Sequence, residues 1–244
     1  MTLRLLPAGI AALTLSLIAP RGATAADMWG GSLALTSDYV VRGISRSNES
    51  PALQLDVHYL TASGFLAGAF ASNTQIASVE SKDVELDGFV GYVWSAGDVW
   101  RGRFLLSHYS YPWNQAGSAY DYDELDADVA FSDWLGASVT YSPDTPRYLR
   151  GYGLAGVNAE SVEIDLQHPL VRKLSGFAGA GYARFGGSFD AGGGGYGYFS
   201  VGARYDLAPV SLVVSYVNTT AGAKTLFYDE AERGRVLATA IWRF

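Results

Sequence analysis

The chain has 244 residues, with 17 Lys and Arg against 24 Asp and Glu, a formal charge of −7 and no Cys. The acidic balance excludes nucleic acid as a partner. The lack of thiols excludes a disulfide framework, a thiolate metal site, a cysteine nucleophile and cysteine-linked lipid. Aromatics at 14%, 29 Gly and only 17% charged residues suit a β protein with tight turns and many interfacial rings.

Arg4 precedes an apolar run from Leu5 to Ala19, ended by Pro20 and Arg21, and Ala23-Thr24-Ala25 supplies the small residues of a signal-peptidase site. The run is shorter than the about 20 residues a spanning helix needs, and Pro7 interrupts it. Residues 1–25 are therefore expected to be a signal peptide cut after Ala25 or Ala26, leaving residues 26–244 as one domain. Cleavage removes Arg4 and Arg21 and no acid, so the charge becomes −7 − 2 = −9.

Beyond the leader no stretch keeps a 3.6-residue period, and period-2 alternation recurs instead. It predicts strands over Gly30 to Val41, Ala52 to Thr61, Phe65 to Ser72, Asp83 to Trp94, Val99 to His108 and Tyr122 to Phe131. It continues over Leu135 to Tyr141, Val157 to Gln167, Gly176 to Phe185, Tyr196 to Tyr205, Val210 to Val217 and Arg235 to Phe244. The last strand sets Val236, Ala238, Ala240, Trp242 and Phe244 against Arg235, Thr239 and Arg243. Outer-membrane barrels close with such a strand, because one face meets lipid and the other a polar lumen.

Short connections fall at Ala62 to Gly64, Ser95 to Asp98, Ser132 to Trp134, His168 to Ser175 and Asp206 to Pro209. Long ones fall at Gly43 to Pro51, Asn73 to Lys82, Tyr109 to Asp121, Ser142 to Gly156, Gly186 to Gly195 and Asn218 to Gly234. Strict alternation of short and long is the rule for periplasmic turns and extracellular loops, and a soluble Greek-key sandwich has no reason to produce it. The expected fold is an all-β transmembrane antiparallel up-and-down barrel of about twelve strands, with both termini in the periplasm.

Ring placement is consistent with this. Trp29, Tyr59, Phe65, Trp94, Trp100, Phe131, Trp134, Tyr205, Trp242 and Phe244 lie at or beside the short-turn ends, as an interfacial girdle requires. Tyr39, Tyr109, Tyr111, Tyr141 and Tyr216 fall near the long-loop ends and would form the outer girdle.

Strand parity sorts the charges. Leu53, Leu55, Val57 and Tyr59 oppose Gln54, Asp56 and His58; Leu125, Ala127, Val129 and Phe131 oppose Glu124, Asp126 and Asp128; Val162, Ile164 and Leu166 oppose Glu163, Asp165 and Gln167. An Arg or Lys at the lipid-facing midplane costs about 2–4 kcal/mol, so the charged rows are assigned to the lumen. The same parity sends Glu85, Asp87, Arg101, Arg103, Arg204, Arg235 and Arg243 inward. It also sends Asp38 and Arg42 inward near the outer mouth, and Arg184 on a strand with small residues on both faces. Separated rows of opposite charge would create a transverse field that screens solutes. Interleaved rows would neutralise one another and stiffen a partly filled lumen, as Arg103 beside Asp126 and Asp128 suggests. Both arrangements fit the sequence.

The segment TSDYVVRGISRSNESPALQLDVHY, residues 36–59, followed by SGFLAGAFASN, residues 63–73, and VELDGFVGY, residues 84–92, resembles the TorF porin family, a proteobacterial outer-membrane family of otherwise unknown function. The shared pattern runs T-S-D-Y-V-x-R-G-x-S, P-A-L-Q and S-G-F-x-A-G. Val41 replaces an aromatic residue and LDVHY follows Gln54 where Gly is common. The resemblance implies an outer-membrane barrel that acts as a pore.

Enzymatic motifs are weak. Of three His, His58 can pair with Asp56 on one face, His108 follows the apolar parity of its strand, and His168 sits in a turn; no flanking Ser motif completes a nucleophilic site. Gly151 to Gly156 matches G-x-G-x-x-G without a following helix, and Gly192 to Gly195 lack a phosphate-loop Lys. Asp121, Asp123 and Glu124 would diverge along one strand, and the His spacing binds no metal, so no metal or cofactor is expected. The expected protein is a non-enzymatic passive channel for small polar solutes. The rival is a filled barrel acting through its loops. Its expected partners are outer-membrane lipid and lipopolysaccharide, and the barrel-assembly machinery, engaged through the last strand.

Overall fold

A computed structural model describes residues 27–75, 83–114, 117–149, 153–186, 194–227 and 234–244. The expected signal peptide and its cleavage site lie outside the described residues, as do Gly151 and Gly192. In chain order the strands are β1 (Met28–Thr36), the short β2 (Val40–Val41) and β3 (Ile44–Ser45), β4 (Ala52–Leu60), β5 (Phe65–Thr74), β6 (Asp83–Ala96) and β7 (Trp100–Ser110). They continue with β8 (Tyr122–Phe131), β9 (Leu135–Leu149), β10 (Gly153–Val171), β11 (Leu174–Phe185), β12 (Gly194–Asp206), β13 (Val210–Thr219) and β14 (Arg235–Arg243). A 3₁₀ turn (Gly117–Tyr120) and a helix, α1 (Gly222–Phe227), lie between strands at the long-loop end.

All strands except β2 and β3 pair antiparallel with their chain neighbours, and β14 closes on β1, giving the expected twelve-stranded up-and-down barrel. Closure leaves no sheet edge, so the ladder satisfies backbone polar groups without water. The outer face carries Leu33, Leu35, Leu53, Leu55, Phe104, Leu106, Leu125, Val162, Ile164, Val201 and Val214, all exposed, while the intervening residues are buried or half-buried inside.

The short turns are tight because their residues accept positive φ: Gly64, Gly97, Ser132 and Lys173 all do so. β10 runs on to Val171, which narrows the expected connection from His168 to Ser175 to Arg172 and Lys173. The expected loop from Ser142 to Gly156 is largely strand, since β9 and β10 extend past the barrel wall as a hairpin with Gly153 opposite Leu149. Beyond Tyr141 the β8 side of β9 has no ladder partner, so Pro143 and Pro146 are tolerated there. The strand expected over Gly30 to Val41 stops at Thr36.

Candidate channel lumen

Residues 37–51 turn back into the barrel. β2 and β3 pair Val40 with Ser45 and Val41 with Ile44 around Arg42 and Gly43, whose φ values are 49° and 80°. Two successive positive φ angles are the pattern of a two-residue type I′ hairpin, and its twist suits short strands. Gly43 is required twice over: a Cβ there would meet Thr219 on β13 and Tyr198 on β12. The hairpin touches most of the wall. Val40 packs on Val217 and Leu237 of β13 and β14, and Val41 packs beside Tyr39, Ala52 and Phe70. Ile44 packs on the cluster of Ala159, Ala183, Phe185, Tyr196 and Tyr198.

Polar contacts fix it in place. Arg42 Nη2 donates to Glu124 Oε1 at 2.8 Å on β8. Asp38 accepts from Ser45 Oγ at 2.6 Å and Ser47 Oγ at 2.9 Å, and pairs with Arg235 of β14 at 3.1 Å. Glu85 of β6 is 1% exposed and takes one hydroxyl on each carboxylate oxygen, from Tyr39 and Tyr111, both at 2.5 Å. Ion pairs and charge-assisted bonds of this kind are the stronger hydrogen bonds, and they offset the cost of burying the carboxylates. Helix α1 adds a cover above, where Arg147 lies over the Phe185 and Phe227 rings at 4.5 and 5.0 Å and donates to Leu226 O.

Toward the short turns Leu60, Leu66, Phe89, Val93 and Leu105 of β4 to β7 form a buried apolar cluster, while the β7 to β10 side of the lumen is polar and wetter. Register aligns Arg103 with Asp128, Asp128 with Ser138 and Ser138 with Glu163, making one transverse row across β7 to β10. Arg103 Nε donates to Asp128 Oδ2 at 2.7 Å, and the Asp128 side chain keeps 31% exposure. Tyr198 OH donates to Glu163 at 2.9 Å; Gly179 on β11 leaves the room into which the Asp165 and Glu163 carboxylates lean. Arg101 reaches Asp133 and Ser132 O in the β8–β9 turn, Arg204 pairs with Asp206 at 2.8 Å, and Arg243 donates to Ser211 at 2.9 Å. Opposite, β14, β1 and β4 present Thr239, Ser32 and Gln54, with Asp56 as the carboxylate, 2.7 Å from His58 Nδ1. Arg103, Arg101 and Arg204 thus each pair with a carboxylate on the next strand, in the adjoining turn or on the same strand, so positive and negative groups interleave as neighbours.

Most residues assigned inward by parity do line the interior: Asp56, His58, Glu85, Asp87, Arg101, Arg103, Glu124, Asp126, Asp128, Glu163, Asp165, Arg204 and Arg243. Asp38 and Arg42 are also inside, but on the inserted hairpin and not on a wall strand. Arg184 is not in the lumen. Its neighbours Ala183 and Phe185 are the buried face of β11, and its 66% exposed side chain pairs on the outside with Glu160 at 3.5 Å. Tyr39 and Tyr111 are buried inside rather than in an outer girdle, and Tyr109 stacks on Tyr122 at 4.4 Å. Only Tyr141 and Tyr216 of that group point outward. At the short-turn end Trp29–Tyr59, Trp100–Phe131, Phe131–Trp134 and Trp242–Phe244 form ring pairs 4.9–6.1 Å apart, with Tyr205 exposed and Trp94 half-buried over Gly102.

His58 has Gly30 and Gly68 as its ladder neighbours, so no serine stands across from it on either side. His108 faces outward, 2.8 Å from Asp123. Asp121 accepts from the Tyr111 amide while Glu124 holds Arg42, so the three acids do diverge. No group of three metal-ligating side chains occurs among the described residues. Arg46, in the inserted segment, and Tyr198 belong to the lining but were not singled out from sequence.

No curated protein matches the chain by sequence. Among solved structures the barrel is similar to the NanC porin, at 9% identity over 88% of this chain and 98% of that one, with a TM-score of 0.57. It is also similar to the KdgM porin, at 12% identity over 88% and 99%, with a TM-score of 0.52. KdgM in complex with disordered oligogalacturonate gives 13% identity over 88% and 98%, with a TM-score of 0.51. At such identities the likeness is one of fold, which is that of outer-membrane porins. A family model described as a bacterial protein of unknown function, Gcw_chp, matches residues 21–244, and the chain belongs to that family.

Proposed function

We propose that the protein is a porin-like channel of the bacterial outer membrane that passes small polar or charged solutes by passive diffusion, with hairpin β2–β3 as its constriction. The observation that carries this is a closed barrel whose interior holds most of the wall's charged side chains and is water-reached along the Arg103–Asp128–Glu163 row. The TorF resemblance of residues 36–73 supports the same reading, because its T-S-D-Y-V-x-R-G-x-S segment forms the inserted hairpin. A leader ending at Ala25 or Ala26 would deliver the chain to the periplasm. The apolar belt would meet lipid and lipopolysaccharide, and β14 with Phe244 would engage the assembly machinery. No catalytic role is assigned. Oligogalacturonate, named with KdgM, is a polyanion, and a wall carrying Asp126, Asp128, Glu163 and Asp165 disfavours such a solute.

The test is single-channel recording of refolded residues 26–244 in a planar bilayer under a salt gradient. Discrete small steps are expected, and they should enlarge several-fold when residues 40–45 are replaced by a Gly-Ser linker. The burial of Tyr39, Tyr111 and Glu85 favours a second reading, a filled barrel working through its loops. Silence from both the native chain and the linker variant, each folded, would select it.

A further inference from the structure

This inference rests on the channel reading above. We propose that hairpin β2–β3 is a plug latched by Arg42 on Glu124, and that solutes bearing an ammonium or guanidinium group release it by taking Arg42's place on the β8 carboxylates.

Glu124, Asp126 and Asp128 share the inner face of β8 at every second residue, so they climb from the short-turn end in steps of about 7 Å. The lowest, Asp128, is held by Arg103, and the highest, Glu124, is held by the guanidinium at the hairpin tip. Asp126 between them makes no ion pair among the described residues. A second feature lies beside the top rung. Asp87 of β6 is buried, its Oδ1 has no hydrogen-bond partner among the described residues, and it is within electrostatic reach of Glu124 and Arg46. A buried carboxylate oxygen without a donor costs free energy that an entering N–H group recovers.

Arg42 therefore behaves as a tethered copy of the ligand: a cation already seated where a mobile one would bind. It is held there in the left-handed backbone region, which a residue with a Cβ occupies at a cost. A free cation competes with Arg42 for the same carboxylate oxygen, and each cation entering this column of carboxylates is drawn upward toward the tip.

The experiment records refolded residues 26–244 in a bilayer, alone and with 1,4-diaminobutane or arginine methyl ester; glucose and glutarate serve as neutral and anionic controls. Losing one charge-assisted hydrogen bond shifts a closed–open ratio about tenfold or more. Arg42→Gln and Glu124→Gln should each raise mean current by that order and abolish the response to diamine. The swap Arg42→Glu with Glu124→Arg should restore closure without restoring the diamine response. Heat-modifiable gel migration checks that each variant is folded. If the Gly-Ser linker variant conducts while Arg42→Gln stays closed, or while glucose opens the native channel as well as diamine does, the latch is refuted and the pore survives. If the linker variant is silent, the channel reading itself fails.

Discussion

Gly43 offers the sharpest test of the hairpin's packing. Gly43→Val places a β-branched residue at φ 80° with its Cβ against Thr219 and Tyr198. The left-handed backbone costs about 1–2 kcal/mol, and forcing methyls into a packed contact adds about 1–3 kcal/mol. At about 1.4 kcal/mol per decade, a combined penalty of about 2–5 kcal/mol multiplies the undocked population about 30-fold to 4,000-fold. Barrel pairing is untouched, because Gly43 belongs to none of the twelve wall strands. The chain has no Cys, so Val40→Cys installs a unique reporter at a buried hairpin position. Maleimide should label that thiol slowly in the parent and at least about tenfold faster when Gly43→Val is added, while both proteins keep folded migration on gels. Equal labelling rates would show that the tip is not packed as described, and the constriction assigned to it would have no basis.

Three further outcomes are expected. Arg103→Gln leaves Asp128 without its ion-pair partner; it should move the reversal potential toward cations and lower unfolding stability by about 1–3 kcal/mol in urea titrations. Arg184→Gln, by contrast, removes an exposed pair worth about 1 kcal/mol or less and should leave ion selectivity unchanged in the same recordings. Asp27, just before β1, accepts the Ala62 amide and the Tyr59 hydroxyl, and these bonds hold its carboxyl below the usual aspartate range. A depressed folded value means the tether is present above the unfolded value and is lost as pH falls through the folded one. Amide exchange at Ala62 should therefore approach that of Asp27→Ala only at pH values below the ordinary aspartate range.

The barrel wall was legible because lipid outside and a polar lumen inside impose a strict period of two. β8 was delimited at Tyr122 and Phe131, and the short turns were marked by their small and polar residues. The inserted hairpin was not legible for the same reason. The expected strand ran on to Val41, straight through the bend at Ser37 and Asp38 where the chain leaves the wall, and only then meets the Arg42-Gly43 turn. A loop folded into a polar lumen also has the composition of one facing water. Arg184 was misplaced because Ala, Gly and Ser on both faces of β11 carry no inward signal. Its side was decided by the register that sets it opposite Glu160. The β9–β10 extension was hidden by Pro143 and Pro146, which read as loop until one side of the strand is known to be unpaired.

The root of the hairpin has a bearing on how the molecule comes together. β1 and β14 align over only Ser32 to Thr36 and Arg243 to Thr239. Around that narrow joint lie the Thr36–Thr239 hydroxyl bond, the bond from the Ala238 amide to Ser37 and the Asp38–Arg235 pair, with Val40 on Leu237 just beyond. The segment that follows the first strand thus rivets the first strand to the last from within. It cannot seat until residues some 200 positions later have arrived. The first loop after β1 can therefore seat only once β14 is in place, so its docking reports that the cylinder has closed.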